Sequence, residues 1–192
     1  MLSERFDRAF LLASQLHREQ MRKGGGVPYV SHLMSVAALV IEHGGDEDQT
    51  IAALLHDAVE DQGGSRTLER IREEFGERVA GIVQECSDSD GDTKPPWEER
   101  KLAYVDHIAT KSDDALLVTL ADKLHNVRTI LADHALLGDE LWQRFTGKRD
   151  GTLWYYRSLE KAFEARGGST AARQLATEYS RSLKELLALA EH

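Results

Sequence analysis

Two adjacent residues, His56 and Asp57, and two carboxylates just beyond them, Glu60 and Asp61, concentrate reactive side chains in the segment ALLHDAVED. An imidazole nitrogen and a carboxylate oxygen are donors suited to Mn²⁺, Fe²⁺ or Zn²⁺. Neighbouring side chains diverge by about 100° on a helix, so the pair reaches one ion only where the helix frays or bends. The Gly63-Gly64 dipeptide places a helix end close by. Two ligands do not make a site, and the candidates for the others are His32 and Asp122. His32 opens a helix straight after a glycine-rich stretch. Asp122 lies in VTLADKLHNVR, beside an apolar stripe of Leu117, Leu120 and Leu124. A carboxylate there is costly unless paired or metal-bound. The four residues make a two-His, two-Asp set drawn from three helices. Singly, each has a plain structural alternative: a hydrogen-bonded core histidine for His32, a cap for Asp57, and a surface pair with Lys123 or Arg128 for Asp122.

If the helix persists, Glu60 shares a face with His56 and Asp61 with Asp57. Metal-assisted hydrolysis needs a base to position and deprotonate water and a group to manage the leaving oxyanion. The spacing also fits two solvated carboxylates at a helix end. Asn126 and Thr129 extend a polar stripe from Asp122, and an asparagine offers both donor and acceptor to a ribose hydroxyl. His125 falls off that stripe and reads as structural. Arg22 and Lys23 begin the loop RKGGGVPY. A guanidinium plane stacks on a purine, and glycines let backbone amides approach a ligand. Tyr29 belongs to the same wall, with packing as its main role. Arg100 and Lys101, in EERK, are a further basic pair, equally readable as a solvated helix face.

The elements that must position these residues are helical. Apolar residues recur at helical spacing almost throughout, with no alternating strand pattern. Helices are predicted over residues 3–21, with Ser3 as N-cap, over 31–43, and from Asp46 to just before Gly63. Others are predicted over 67–75, 77–86, 97–110 and 113–132, with a polar loop at 87–96. Two or three more fill 139–192, broken at Gly147 and at Gly167-Gly168. The class is therefore all-α. The 192 residues fit one domain of ordinary size. The net charge of −9 argues against a general nucleic-acid binder, which needs a positive field. It does not exclude a small polyanion, because an ion and a few local cations reverse the potential inside one pocket. Cys86 is the lone cysteine. The charged N-terminus and the lack of a long apolar run read as a cytoplasmic protein without a membrane segment.

The ordered motifs RK…PYVSHL…ALLHDAVED…LADKLHNVR resemble the HD-type hydrolase domain of the RelA/SpoT alarmone enzymes, above all their stand-alone short forms. The resemblance runs over about residues 5–165. It implies a multi-helix HD-domain bundle over 1–166, with 167–192 a C-terminal helix packing on the same domain. It implies one Mn²⁺ per chain on His32, His56, Asp57 and Asp122, and catalysis by Glu60 and Asp61. Asn126 and Thr129 then contact ribose or base, Arg22 and Lys23 flank guanine, and Arg100 and Lys101 lie near phosphates. The implied activity is hydrolysis of the 3′-pyrophosphate of guanosine tetraphosphate and pentaphosphate, to GDP or GTP and pyrophosphate, with no synthetase. The partner is a small-molecule nucleotide; the oligomeric state is not legible. Three glycines follow Arg22-Lys23 where relatives often carry a polar residue, and Leu33 replaces a proline common after the motif's histidine. Neither departure touches a proposed ligand. Two other readings compete: a phosphohydrolase of another nucleotide, such as the 2′-phosphate of NADPH, and a non-catalytic nucleotide-binding module.

Overall fold

In a computed structural model describing residues 1–24, 26–87 and 95–190, the apolar stripes turn inward around a long central helix. The N-terminal part comprises α1 (Glu4–Leu16), α2 (Val30–Glu42), α3 (Glu47–Leu55), the single turn α4 (Ala58–Asp61), α5 (Gly64–Phe75) and α6 (Glu77–Cys86). After the loop come α7 (Trp97–His107), α8 (Asp113–Leu137), α9 (Lys148–Arg166) and α10 (Thr170–Ala190). Among the described residues there is no strand, only an isolated bridge between Met21 and Pro28. The all-α expectation holds. Among the described residues no helix is long and apolar enough to cross a membrane.

α8 packs against α2, α3, α6 and α10. Its residues from Ala115 to Asp122 are all buried, as expected of a helix enclosed on every side. α3 starts with a capping box, in which Asp46 accepts from the Gln49 backbone and the Gln49 side chain accepts from the Asp46 backbone. Ser112 caps α8 by accepting from Ala115 N. α10 buries Leu175, Tyr179, Leu183 and Leu186, and the Tyr179 hydroxyl donates to the Tyr156 carbonyl at 2.8 Å.

Several boundaries differ from the sequence reading, among them the start of α5, at Gly64 rather than Thr67. α1 stops at Leu16 rather than 21 because the chain folds back on itself: Tyr29 N donates to Gln20 O, and Arg22 N to Val27 O. Gly24 and Gly26 have φ of 81° and 65°, a conformation that favours glycine. A Cβ on Gly24 would also strike the Arg144 side chain. The helix expected from Asp46 to Gly63 is two pieces, interrupted at His56-Asp57. α8 runs on to Leu137, past the expected 132, and stops at Gly138 with φ of 55°. Most of the predicted polar loop, 88–94, lies outside the described residues.

Candidate metal centre and its cavity

The break between α3 and α4 does the positioning that the sequence demanded. His56 and Asp57 lie in the turn between the two helices, so both side chains face the same point. His32, in the first turn of α2, and Asp122, midway along α8, face it too. His32 Nε2 is 3.5 Å from Asp57 Oδ2 and 3.2 Å from Asp122 Oδ1. His56 Nε2 is 3.0 Å from the same Asp57 oxygen and 3.8 Å from the same Asp122 oxygen. Donor atoms of His32, His56 and Asp57 all lie within 4.8 Å of one another.

The hydrogen bonds around this cluster leave its centre in need of positive charge. His56 Nδ1 is 2.8 Å from the Ala53 carbonyl, so it carries the ring proton and Nε2 keeps its lone pair. That Nε2 is sealed from solvent and has no partner in hydrogen-bonding geometry, despite its closeness to Asp57. A lone pair facing carboxylate oxygens is repelled unless a cation lies between them, and a divalent ion fits that donor set. Without one, a proton is drawn in instead. Burial alone disfavours the His56 imidazolium, yet the Asp57 charge and contacts with Asp122 raise its pKa well above the ordinary value. Burial also disfavours the two carboxylates. The His56 charge and contacts with His32 outweigh it for Asp57, and Lys123 with the same histidines does so for Asp122; both pKa values fall well below the ordinary range.

Several groups hold the ligands in place. The Tyr29 hydroxyl donates to Asp57 Oδ2 at 2.6 Å, and its ring stacks on His17. Asn126 Nδ2 donates to Asp122 Oδ1 at 2.5 Å, and Arg22 Nη2 donates to Asn126 Oδ1 at 2.8 Å. Lys123 pairs with Asp122 Oδ2 at 2.8 Å. The Lys123 pair weighed for Asp122 therefore exists, but below the surface and on the oxygen turned away from the histidines. Arg128 pairs with Glu178 instead.

The cluster opens into a cavity of about 530 Å³, whose walls include Arg22, Lys23, Tyr29, Glu60, Asp61, Lys101, Asn126 and Thr129. Asp61 accepts from Gln20 Nε2 at 2.8 Å. Desolvation at this exposed rim, joined by the Asp57 and Glu60 charges, outweighs that bond and raises the Asp61 pKa. The Thr129 hydroxyl bonds the His125 carbonyl of its own helix. Arg100 does not itself line the described cavity; its guanidinium lies 3.9 Å from Oε1 of Glu60, which does. Tyr29 does more than pack, since it orients a ligand carboxylate. His125, read as structural, lines the cavity with its Nδ1 2.8 Å from His32 Nδ1. Burial, with the His32 and Arg22 charges, lowers its pKa to about 4, so it is neutral near pH 7. Its place one helical turn from Asp122 was the available signal. No sequence signal pointed to Gln20 or His17.

The described wall carries four basic side chains, Arg22, Lys23, Lys101 and Lys123, against five carboxylates, Asp57, Glu60, Asp61, Asp122 and Asp133. The pocket is therefore not basic by itself, and a divalent ion would reverse that balance.

The chain is similar to several known proteins. Over 121 residues, 62% of this chain and 65% of the relative, it is 40% identical to a guanosine-3′,5′-bis(diphosphate) 3′-pyrophosphohydrolase of Xenopus tropicalis. It is 37% identical over 131 residues to the Drosophila melanogaster enzyme of that name, covering 70% of it. An Aquifex aeolicus enzyme bearing the same activity name is 40% identical, but the match spans only 18% of its length. A solved structure described as a metazoan ortholog of SpoT that hydrolyses ppGpp superposes with a TM-score of 0.79 at 28% identity, covering 97% of both chains. A Listeria monocytogenes protein gives 0.70 at 28% identity, over 82% of this chain. The HD domain family matches residues 9–153, the stretch that holds every proposed ligand, and the chain belongs to that family.

Proposed function

We propose that the protein is a Mn²⁺-dependent hydrolase of guanosine tetraphosphate, guanosine 3′,5′-bis(diphosphate), and guanosine pentaphosphate, releasing pyrophosphate with GDP from the first and GTP from the second. The observation that carries this reading is the convergence of His32, His56, Asp57 and Asp122 on one point at the end of a nucleotide-sized cavity. The named activity of the Xenopus and Drosophila relatives supports the substrate. Those four residues would hold one divalent ion. When bound, it supplies a Lewis acid for a phosphoryl oxygen and a positive charge that eases deprotonation of water.

The remaining steps fall to the chain's own groups. Glu60 and Asp61, at the cavity rim beside the ligand cluster, take the proton of the attacking water, and the raised Asp61 pKa brings it nearer the working pH. Water oxygen bonds to the phosphorus attached at the ribose 3′-oxygen. The bond from that phosphorus to the 3′-oxygen breaks, and that oxygen receives the proton which the carboxylate pair took from water. Arg22, close above the Tyr29 ring at 5.6 Å, supplies a flat cation for the base, and Lys23 stands beside it on the wall. Lys101 and Lys123 supply positive charge for the phosphates. Purified protein loaded with Mn²⁺ should convert guanosine tetraphosphate to GDP and pyrophosphate, resolved by anion exchange, and lose that activity with a chelator. Turnover of NADPH alone would replace the substrate, and metal uptake without turnover of any nucleotide would leave a binding module.

A further inference from the structure

We infer that His125 is a positioning residue of the metal centre: it accepts the Nδ1–H of His32, fixes that ligand's tautomer, and turns its own Nε2–H toward the nucleotide cavity. This rests on the metal reading above and adds a residue to it. His32 is 1% exposed, and its two nitrogens have different surroundings. Nε2 faces Asp122 Oδ1 at 3.2 Å and Asp57 Oδ2 at 3.5 Å. Nδ1 faces His125 Nδ1 at 2.8 Å. Two ring nitrogens at that distance share one proton, since two lone pairs repel and two N–H groups clash.

An imidazole that gives its Nε2 lone pair to a cation carries its proton on Nδ1. His32 is therefore the donor and His125 the acceptor. A neutral His125 that accepts at Nδ1 holds its proton on Nε2, and none of the described residues bonds that nitrogen. The ring lines the cavity, so Nε2–H is a donor for an anionic ligand that adds no charge of its own. Hydrogen bonds in such a chain polarise one another, so an anion on His125 strengthens His32 as a ligand. His125 and Asp122 stand one turn apart on α8, which ties this support to the same rigid element that carries a ligand.

Three substitutions separate the two nitrogens. His125→Asn keeps an acceptor where Nδ1 stands, His125→Gln keeps a polar group near Nε2 only, and His125→Phe removes both. Mn²⁺ affinity is read by competition with a chromophoric chelator, without nucleotide. His125→Phe and His125→Gln should bind about 10- to 100-fold more weakly, while His125→Asn stays within about threefold of wild type. His125→Asn should still raise KM for guanosine tetraphosphate, having lost the Nε2–H donor. In the Zn²⁺-loaded wild type, ¹⁵N shifts should show His32 protonated at Nδ1. Metal-free melting temperatures of the variants separate positioning from packing, and losses of affinity that simply follow losses of stability would overturn the inference. So would equal affinity in all four proteins, or a His32 protonated at Nε2, both leaving the metal reading intact. A wild-type protein that takes up no divalent ion removes the metal reading and this inference with it.

Discussion

Each proposed ligand side chain is also held by a group outside the ligand set. His56 is tied to the Ala53 carbonyl, Asp57 to the Tyr29 hydroxyl and Asp122 to Asn126 and Lys123, so the donors are aimed before an ion arrives. Ion binding must displace the proton that Asp57 and Asp122 otherwise attract to His56. Because the His56 pKa is raised, Mn²⁺ affinity should weaken as pH falls through that raised value and strengthen above it, measurable by chelator competition across pH. Glu60→Gln with Asp61→Asn removes the proposed base and preserves shape. Turnover should drop by about 10²-fold or more with metal content unchanged. Loss of metal in that variant would put the pair among the ligands, and wild-type rates would return it to solvated carboxylates. In the metal-free protein the Asp61 carboxyl should titrate above the ordinary aspartate range, read by ¹³C carboxyl shifts, because desolvation with the Asp57 and Glu60 charges disfavours its anion.

At the level of elements, the site depends on a helix that stops in the right place. α3 is started by the Asp46 capping box and ends at Leu55, so His56 and Asp57 leave its regular geometry together. Asp46→Ala removes the cap and an exposed pair with Arg78, and should cost about 1–2 kcal/mol of stability in urea denaturation, most of it from the cap. A cost near zero would show that packing of α3 against α2, α1 and α6 sets its start without the cap. The glycine-rich turn is a second such element. It carries Arg22, whose guanidinium bonds Asn126 and lies near the Tyr29 ring. Arg22→Ala should raise KM for a guanine nucleotide more than it lowers kcat, because contact with the base is similar in ground and transition states. An unchanged KM would remove the reason for placing the base there.

On the scale of the whole molecule, the proposed ligands come from α2, the α3–α4 turn and α8, so one bound ion would join three separate segments. Binding to the folded chain alone stabilises it by mass action, by about 2.7 kcal/mol at a hundredfold excess over Kd. Mn²⁺ should therefore raise the melting temperature of the wild-type protein in a concentration-dependent way. Asp122→Asn should abolish both the shift and the bound metal, measured by elemental analysis. A shift that survives this change would locate the stabilising ion elsewhere.

Periodicity alone determined that the chain is helical, because buried faces recur at a spacing fixed by helix geometry, and the boundaries of α6 matched it to the residue. Donor chemistry determined the ligand types, since few residues other than histidine and aspartate give such a set, and the adjacency of His56 and Asp57 already required a bend. Which oxygen of Asp122 faces the histidines, that Tyr29 holds Asp57, and that His125 bonds His32 were decided only by the tertiary structure. The last of these pairs residues 93 positions apart in sequence, a separation at which local spacing carries no information. Arg100 and Lys101 were indistinguishable as neighbours in sequence. The packing of α7 put Lys101 on the cavity wall and set the Arg100 guanidinium 3.9 Å from Glu60 Oε1.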